Sequence, residues 1–160
     1  MIIRPEVPAD LPSIAAVTAA AFAAVERSSQ TESAIIEALR AAGALSVSLV
    51  AVDNEQVIGH VAASPVLIDA HPGRFYGLGP LSVLPERQGE GIGSVLLRSV
   101  LGYLVDAEVI VLLGEPDFYS RFGFAPVEGL VYPDVPPEYF LAHGNPHRRG
   151  VVSYHPAFFV

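Results

Sequence analysis

The chain has 160 residues, 51% of them hydrophobic and 16% charged, with a formal net charge of −8. That length predicts a single domain over 1–160, and so apolar a composition excludes a disordered chain. Nine arginines and no lysine stand against 17 carboxylates, which leaves no concentrated cationic face for nucleic acid. The absence of cysteine excludes disulfides, a zinc–thiolate site and a catalytic thiol.

A mean hydropathy of +0.45 raises the question of a membrane span. The longest apolar stretch, Leu11 to Val25, is broken by Pro12, Ser13 and Thr18 and falls short of the ~18 residues a spanning helix needs. Pro5, Glu6, Pro8 and Asp10 precede it, where a signal peptide would carry positive charge. The expectation is a cytoplasmic protein with no membrane partner.

In chain order, Ile2 to Pro5 reads as a short strand. Asp10 is placed to cap a helix in which Leu11, Ile14, Thr18, Phe22 and Val25 recur at helical spacing. A second helix is predicted from Thr31 to Ala42, with Ile35, Ile36 and Leu39 inward and Gly43 just past its end. Leu45 to Val52 and Gln56 to Ile68 read as a hairpin around Asp53-Asn54-Glu55. A loop at His71-Pro72-Gly73 leads to a strand from Phe75 to Leu84.

A helix follows with Ile92, Val95, Leu96, Ser99 and Tyr103 along one face. Val109 to Leu113 is the most apolar strand and should be central. A helical turn at Phe118–Phe122, a short extended segment at Phe124-Ala125-Pro126, a proline-rich loop (Pro133, Pro136, Pro137) and a last strand at Val151–Tyr154 complete the chain. The order β-α-α-β-β-β-α-β-α-β-β indicates a mixed α/β sheet.

The informative segment runs from Leu81 to Ser94: strand, glycine-rich turn, helix start. Unpaired N–H groups and the helix dipole make such a junction an anion site suited to phosphate. A tight turn without a ligand is the structural alternative. The Walker loop is excluded because the chain has no lysine, and in a Rossmann fingerprint the third glycine would fall on Ser94.

The remaining pattern, Gln88-x-x-Gly91-x-Gly93, resembles the acetyl-CoA motif of the GNAT superfamily of N-acetyltransferases. Leu78 to Pro85, Val111 to Phe124 (with Tyr119-Ser120-Arg121-Phe122-Gly123-Phe124) and Val151 to Phe158 are similar to its YhbS-type branch. The resemblance implies a mostly antiparallel central sheet, splayed between its fourth and fifth strands and flanked by helices.

It further implies that acetyl-CoA is the co-substrate. The backbone of Leu81, Ser82 and Val83 would lie along the pantetheine arm, and Gln88, Gly89, Glu90, Gly91, Ile92, Gly93 and Ser94 would hold the pyrophosphate. Tyr119 sits where the family places the tyrosine that protonates the leaving thiolate. Glu115 and Phe118 stand where many members carry Asp or a second Tyr. Acetyl would pass directly to a primary amine in a ternary complex, with no metal. Alternatives are an acyl-CoA-binding or regulatory module without catalysis, and an acyltransferase with another donor or acceptor.

An alkylamine of pKa ~10.4 is about 0.1% neutral at pH 7, so its proton must go somewhere. Glu26, Glu32, Glu115, His60 and His155 are candidates, and Glu32 is preferred because it opens the second helix. Ser64 is a candidate pocket residue. His143 and His147 are too interrupted by Gly144 and Pro146 for a metal pair. The apolar terminus Ala157–Val160 is a candidate homodimer contact.

Overall fold

The computed structural model describes residues 1–160. Its strands are β1 (Ile2–Pro5), β2 (Val47–Asp53), β3 (Gln56–Ile68), β4 (Phe75–Val83), β5 (Val109–Leu113), β6 (Leu130–Val131), β7 (Phe140–Gly144) and β8 (Gly150–Tyr154). The helices are α1 (Leu11–Phe22), α2 (Glu32–Ala41), α3 (Ile92–Tyr103) and a single turn, α4 (Pro116–Tyr119). Hydrogen bonding connects the strands in the order β1-β2-β3-β4-β5-β7, and β8 pairs with β3 and β6. The sheet is mixed and mostly antiparallel, as expected. The β4–β5 ladder is parallel, covers Phe75, Tyr76 and Gly77 against Val109, Ile110 and Val111, and ends there. No helix is long and apolar enough to cross a membrane.

The chain forms two compact units. One comprises Met1–Ala63, Gly79–Leu104 and Pro156–Val160. Here β2 and β3 meet in a hairpin whose turn residues, Asn54 and Glu55, both take positive φ (50° and 62°). That pair of left-handed residues matches the twist of the flanking strands. Ile14 and Val17 of α1 and Ile36 of α2 pack with Val50 and Val57, each contributing about 1.5–3 kcal/mol of apolar burial. Ala157 is buried against Ile35 and Leu39 with Phe158 beside it, whereas Phe159 and Val160 are exposed.

Two details differ from the sequence expectation. The Asp10 side chain does not cap α1. Its carboxylate takes a two-point bond from Arg4 (2.7 and 3.0 Å) and one from the Val7 N–H (2.8 Å), because a guanidinium is the stronger donor. The buried face of α3 is Ile92, Leu96, Leu97 and Val100, and Tyr103 is 57% exposed. The true stripe is rotated from the predicted one, since Leu97 and Val100 outcompete Ser99 and Tyr103 for burial.

The second unit comprises Ser64–Leu78 and Val105–His155. Val66, Ile68, Phe75, Val109, Val111, Phe140 and Val152 form its core. β5 is buried except at Leu113, as its unbroken apolar run predicts. β6 and β7 lie where only a proline-rich loop was expected, and Ala125 makes an isolated bridge to Ala142 of β7.

Candidate functional site

The loop between β4 and α3 combines left-handed glycines with the open start of a helix. Gly89 and Gly91 take φ of 81° and 85°, the left-handed region that glycine enters without strain. A Cβ on either would meet no protein atom within 4 Å, so packing does not require glycine here. Gly91 caps α3 with no side-chain bond, and the first intrahelical N–H is that of Val95, bonded to the Gly91 carbonyl. The N–H groups of Ile92, Gly93 and Ser94 therefore precede the helical ladder at its positive end. Open space over the glycines beside these donors fits a pyrophosphate.

One loop N–H and two loop side chains have partners within the chain. The Gln88 N–H closes a short turn onto the Pro85 carbonyl (3.3 Å), and its side-chain amide donates to the Val83 carbonyl (3.1 Å). The Gln88 side chain thus braces the end of β4. Glu90 bonds Arg87 at 3.1 Å, and Arg87 also bonds Asp53 of the hairpin at 3.0 Å. This pairing neutralises a carboxylate that would otherwise oppose an anion at the loop. Arg87 and Asp53 carried no motif, since 34 positions separate them in sequence.

Within β4, Leu81 and Val83 are half-buried and the Ser82 side chain is buried. The Ser82 hydroxyl has no protein partner. Glu32 opens α2, where the helix start favours negative charge, and both its oxygens lie 2.7 Å from the Ser28 hydroxyl. Glu26 is exposed in a turn. His60 is fully buried and its Nε2 lies 2.8 Å from Ser48.

In the second unit, Tyr119 ends α4. Phe118 meets its ring edge-on at 4.9 Å and Phe124 at 6.0 Å. Burial pushes its phenol up to about 12, so it is protonated throughout the neutral range. Giving that proton outright to a thiolate of ordinary pKa ~8.5 would run uphill by roughly 5 kcal/mol. What the phenol supplies readily is a hydrogen bond to charge developing on sulfur. Water exclusion raises a thiol as well, which narrows the gap.

Ser64 is buried with no partner for its hydroxyl. Glu115 is exposed at the start of α4, and His155 is half-buried after β8. The His143 ring lies 5.3 Å from Phe124, an aromatic contact. No group of three or more His, Asp or Glu side chains is arranged to hold a metal ion.

Comparison with known proteins shows the family. Residues 44–126 match the acetyltransferase (GNAT) domain family. The uncharacterised N-acetyltransferase YhbS of Escherichia coli K12 is 39% identical over 127 residues, 78% of this chain and 73% of that protein. A GNAT family acetyltransferase from Brucella melitensis, crystallised with acetyl-CoA, is 47% identical over 98% of this chain and 97% of its own, with a TM-score of 0.87. Escherichia coli YhbS, crystallised with CoA, superposes with a TM-score of 0.88 at 33% identity, covering 99% of this chain and 92% of its own. The chain belongs to the GNAT family of N-acetyltransferases.

Proposed function

We propose that the protein binds acetyl-CoA and transfers its acetyl group to a primary amine by direct attack, with no acyl-enzyme intermediate. The observation that carries this reading is the β4–α3 loop: two left-handed glycines under open space, followed by the N–H groups of Ile92, Gly93 and Ser94. These donors suit the pyrophosphate, and 47% identity over nearly the whole chain to a protein crystallised with acetyl-CoA supports the choice of anion. The backbone of Leu81 to Val83, braced by Gln88, is proposed to run along the pantetheine arm.

Tyr119 is proposed as the donor to the departing sulfur. Glu32 is proposed as the carboxylate that meets the acceptor amine, because it opens α2 with its oxygens held by the Ser28 hydroxyl. The absence of a cysteine removes an acyl-thiol intermediate and supports direct transfer. The overall negative charge favours cationic acceptors such as polyamines, amino sugars or peptide amines.

The test is CoA release across a panel of primary amines, with the acetylated product identified by mass spectrometry. Turnover lowered about 10²-fold in Tyr119→Phe, at unchanged acetyl-CoA affinity, is the expected result. Binding of acetyl-CoA without turnover on any amine would replace this reading with a binding module.

A further inference from the structure

No residue of 126–140 has a role in the acetyl transfer proposed above, yet this segment encloses a cavity of about 420 Å³, wholly within the second unit. Its wall includes Val127, Leu130, Tyr132, Val135, Pro137 and Phe140. The volume falls in the ~300–1,000 Å³ range of small-molecule sites, which present a mostly apolar lining of this kind.

The backbone explains why space is left here. Pro126, Pro133, Pro136 and Pro137 fix φ and lack N–H groups, so the chain closes into neither a helix nor a long ladder. Between them only Leu130 and Val131 enter a ladder, parallel to Gly150 and Val151 of β8. Gly129 (φ 84°) and Asp134 (φ 68°) turn the chain on either side of that pair. The Leu130 N–H donates to the Val127 carbonyl (3.1 Å) and the Gly150 N–H to the Gly129 carbonyl (2.8 Å). Stiff, bonded backbone therefore frames the cavity without a ligand.

Two features of the wall select a ligand. The first is aromatic: the Tyr132 and Phe140 rings lie 5.7 Å apart with their planes tilted by 32°, and Tyr154 meets Tyr132 edge-on at 5.1 Å. Ring faces attract both flat apolar groups and cations. The second is charge: residues 126–140 carry Glu128, Asp134 and Glu138 and no arginine, lysine or histidine. Glu128 is the one charged residue of the wall itself. Asp134 acts on the aromatic wall, since burial and then its charge push the Tyr132 phenol above its ordinary value. Arg149 lies against Gly129 but is not part of the wall, and its guanidinium donates to the Pro146 and Arg148 carbonyls (3.2 and 3.4 Å). A cation at this cavity meets carboxylates and ring faces, whereas an anion meets repulsion.

We infer that this cavity is a binding site for a small organic cation with an apolar body, the chemistry of an arylalkylammonium. The apolar body fills the space between Val127, Leu130, Val135 and Pro137 and lies against the Tyr132 and Phe140 rings. The ammonium stays at the Glu128 carboxylate, an exposed residue, and so keeps part of its hydration. Apolar burial supplies most of the affinity, and the carboxylate and rings supply the selection for positive charge. Binding makes and breaks no covalent bond and does not depend on acetyl transfer. The ligand is either an amine that is acetylated or an effector that is not; both share this chemistry, and turnover separates them.

The experiment titrates phenethylamine into the full chain by calorimetry at neutral pH, beside ethylamine and phenylacetate, which keep the ammonium or the ring alone. Wild type is compared with Glu128→Gln and Val135→Trp. Melting curves establish that each variant is folded, and Glu128→Gln, at an exposed position, serves if Val135→Trp is not. The expected result is saturable binding of phenethylamine, at least about 10-fold tighter than ethylamine and tighter than phenylacetate. Glu128→Gln should weaken it about 2- to 5-fold, and Val135→Trp, whose indole occupies the space, at least about 10-fold. No saturable binding would overturn the site. So would phenylacetate binding as tightly as the amine, or an affinity unchanged in both variants. With acetyl-CoA added, an N-acetyl product by mass spectrometry that falls in Val135→Trp marks the ligand as an acceptor. Binding without product marks an effector, and either outcome upholds the site. An empty cavity leaves acetyl transfer standing, and a chain inactive on every amine leaves the cavity's binding standing.

Discussion

Gly114 and Tyr119 fit together so closely that a Cβ on the glycine would lie 2.8 Å from Cδ2 of the tyrosine ring. The glycine side of the ring is a bare backbone, and Phe118 and Phe124 close in edge-on. Gly114→Ala should push the phenol off its position while leaving the β4–α3 loop untouched. The expected result is a kcat reduced by up to about 10²-fold at unchanged acetyl-CoA affinity, read by steady-state kinetics and calorimetry. A wild-type kcat would show that the position of Tyr119 is immaterial.

Acid stability should report the buried imidazole. The folded pKa of His60 is about 4 and the unfolded value ~6.5, so between them the unfolded chain binds a proton that the folded chain refuses. The stability tied to its neutral form is complete above pH ~6.5 and is lost as pH falls toward 4, by up to about 3 kcal/mol. His60→Gln should flatten that part of the curve in urea melts. A curve of unchanged slope would contradict the burial argument.

The Arg4–Asp10 pair acts lower in pH. The bond from Arg4 outweighs burial and, with the Val7 N–H, holds the Asp10 carboxyl below its usual range. Its contribution is present above the unfolded value of ~3.9 and lost as pH falls through the lower folded value. Asp10→Asn should cost about 1–3 kcal/mol at neutral pH and remove part of the acid transition below about pH 4. Equal melting temperatures for the two proteins at pH 7 would count against the pair.

The orientation of α3 gives a plain packing test. Leu96 is fully buried and Tyr103 lies mostly in solvent. Leu96→Ala should cost about 2–5 kcal/mol, and Tyr103→Ser no more than about 0.5 kcal/mol, both by chemical denaturation. The reverse ranking would restore the face expected from sequence.

Local signals explain what was legible. The hairpin was readable because Asn54 and Glu55 separate two β-branched runs, and β3 begins and ends where its composition says. The glycine turn before α3 was readable because its three glycines and the apolar face of the helix sit next to each other in sequence. β6 and β7 were not, since two- and five-residue strands beside Pro133, Pro136 and Pro137 owe their pairing to distant partners. The cap assigned to Asp10 failed for a similar reason: Arg4 comes within reach only once β1 and the following turn have formed. Glu6, Arg40, Ser48 and His60 span 54 positions and share no motif, so only the packing of α2 on β2 and β3 reveals their hydrogen bonds.

The most direct test of the account is titration of acetyl-CoA into wild type and Gly91→Glu by calorimetry. Gly91 combines a left-handed backbone with open space, so the substitution strains the loop and puts a carboxylate where the pyrophosphate is proposed to lie. Binding by wild type and its loss in a folded Gly91→Glu is the predicted result. Equal affinity in the two proteins would contradict the claim that this loop holds the co-substrate.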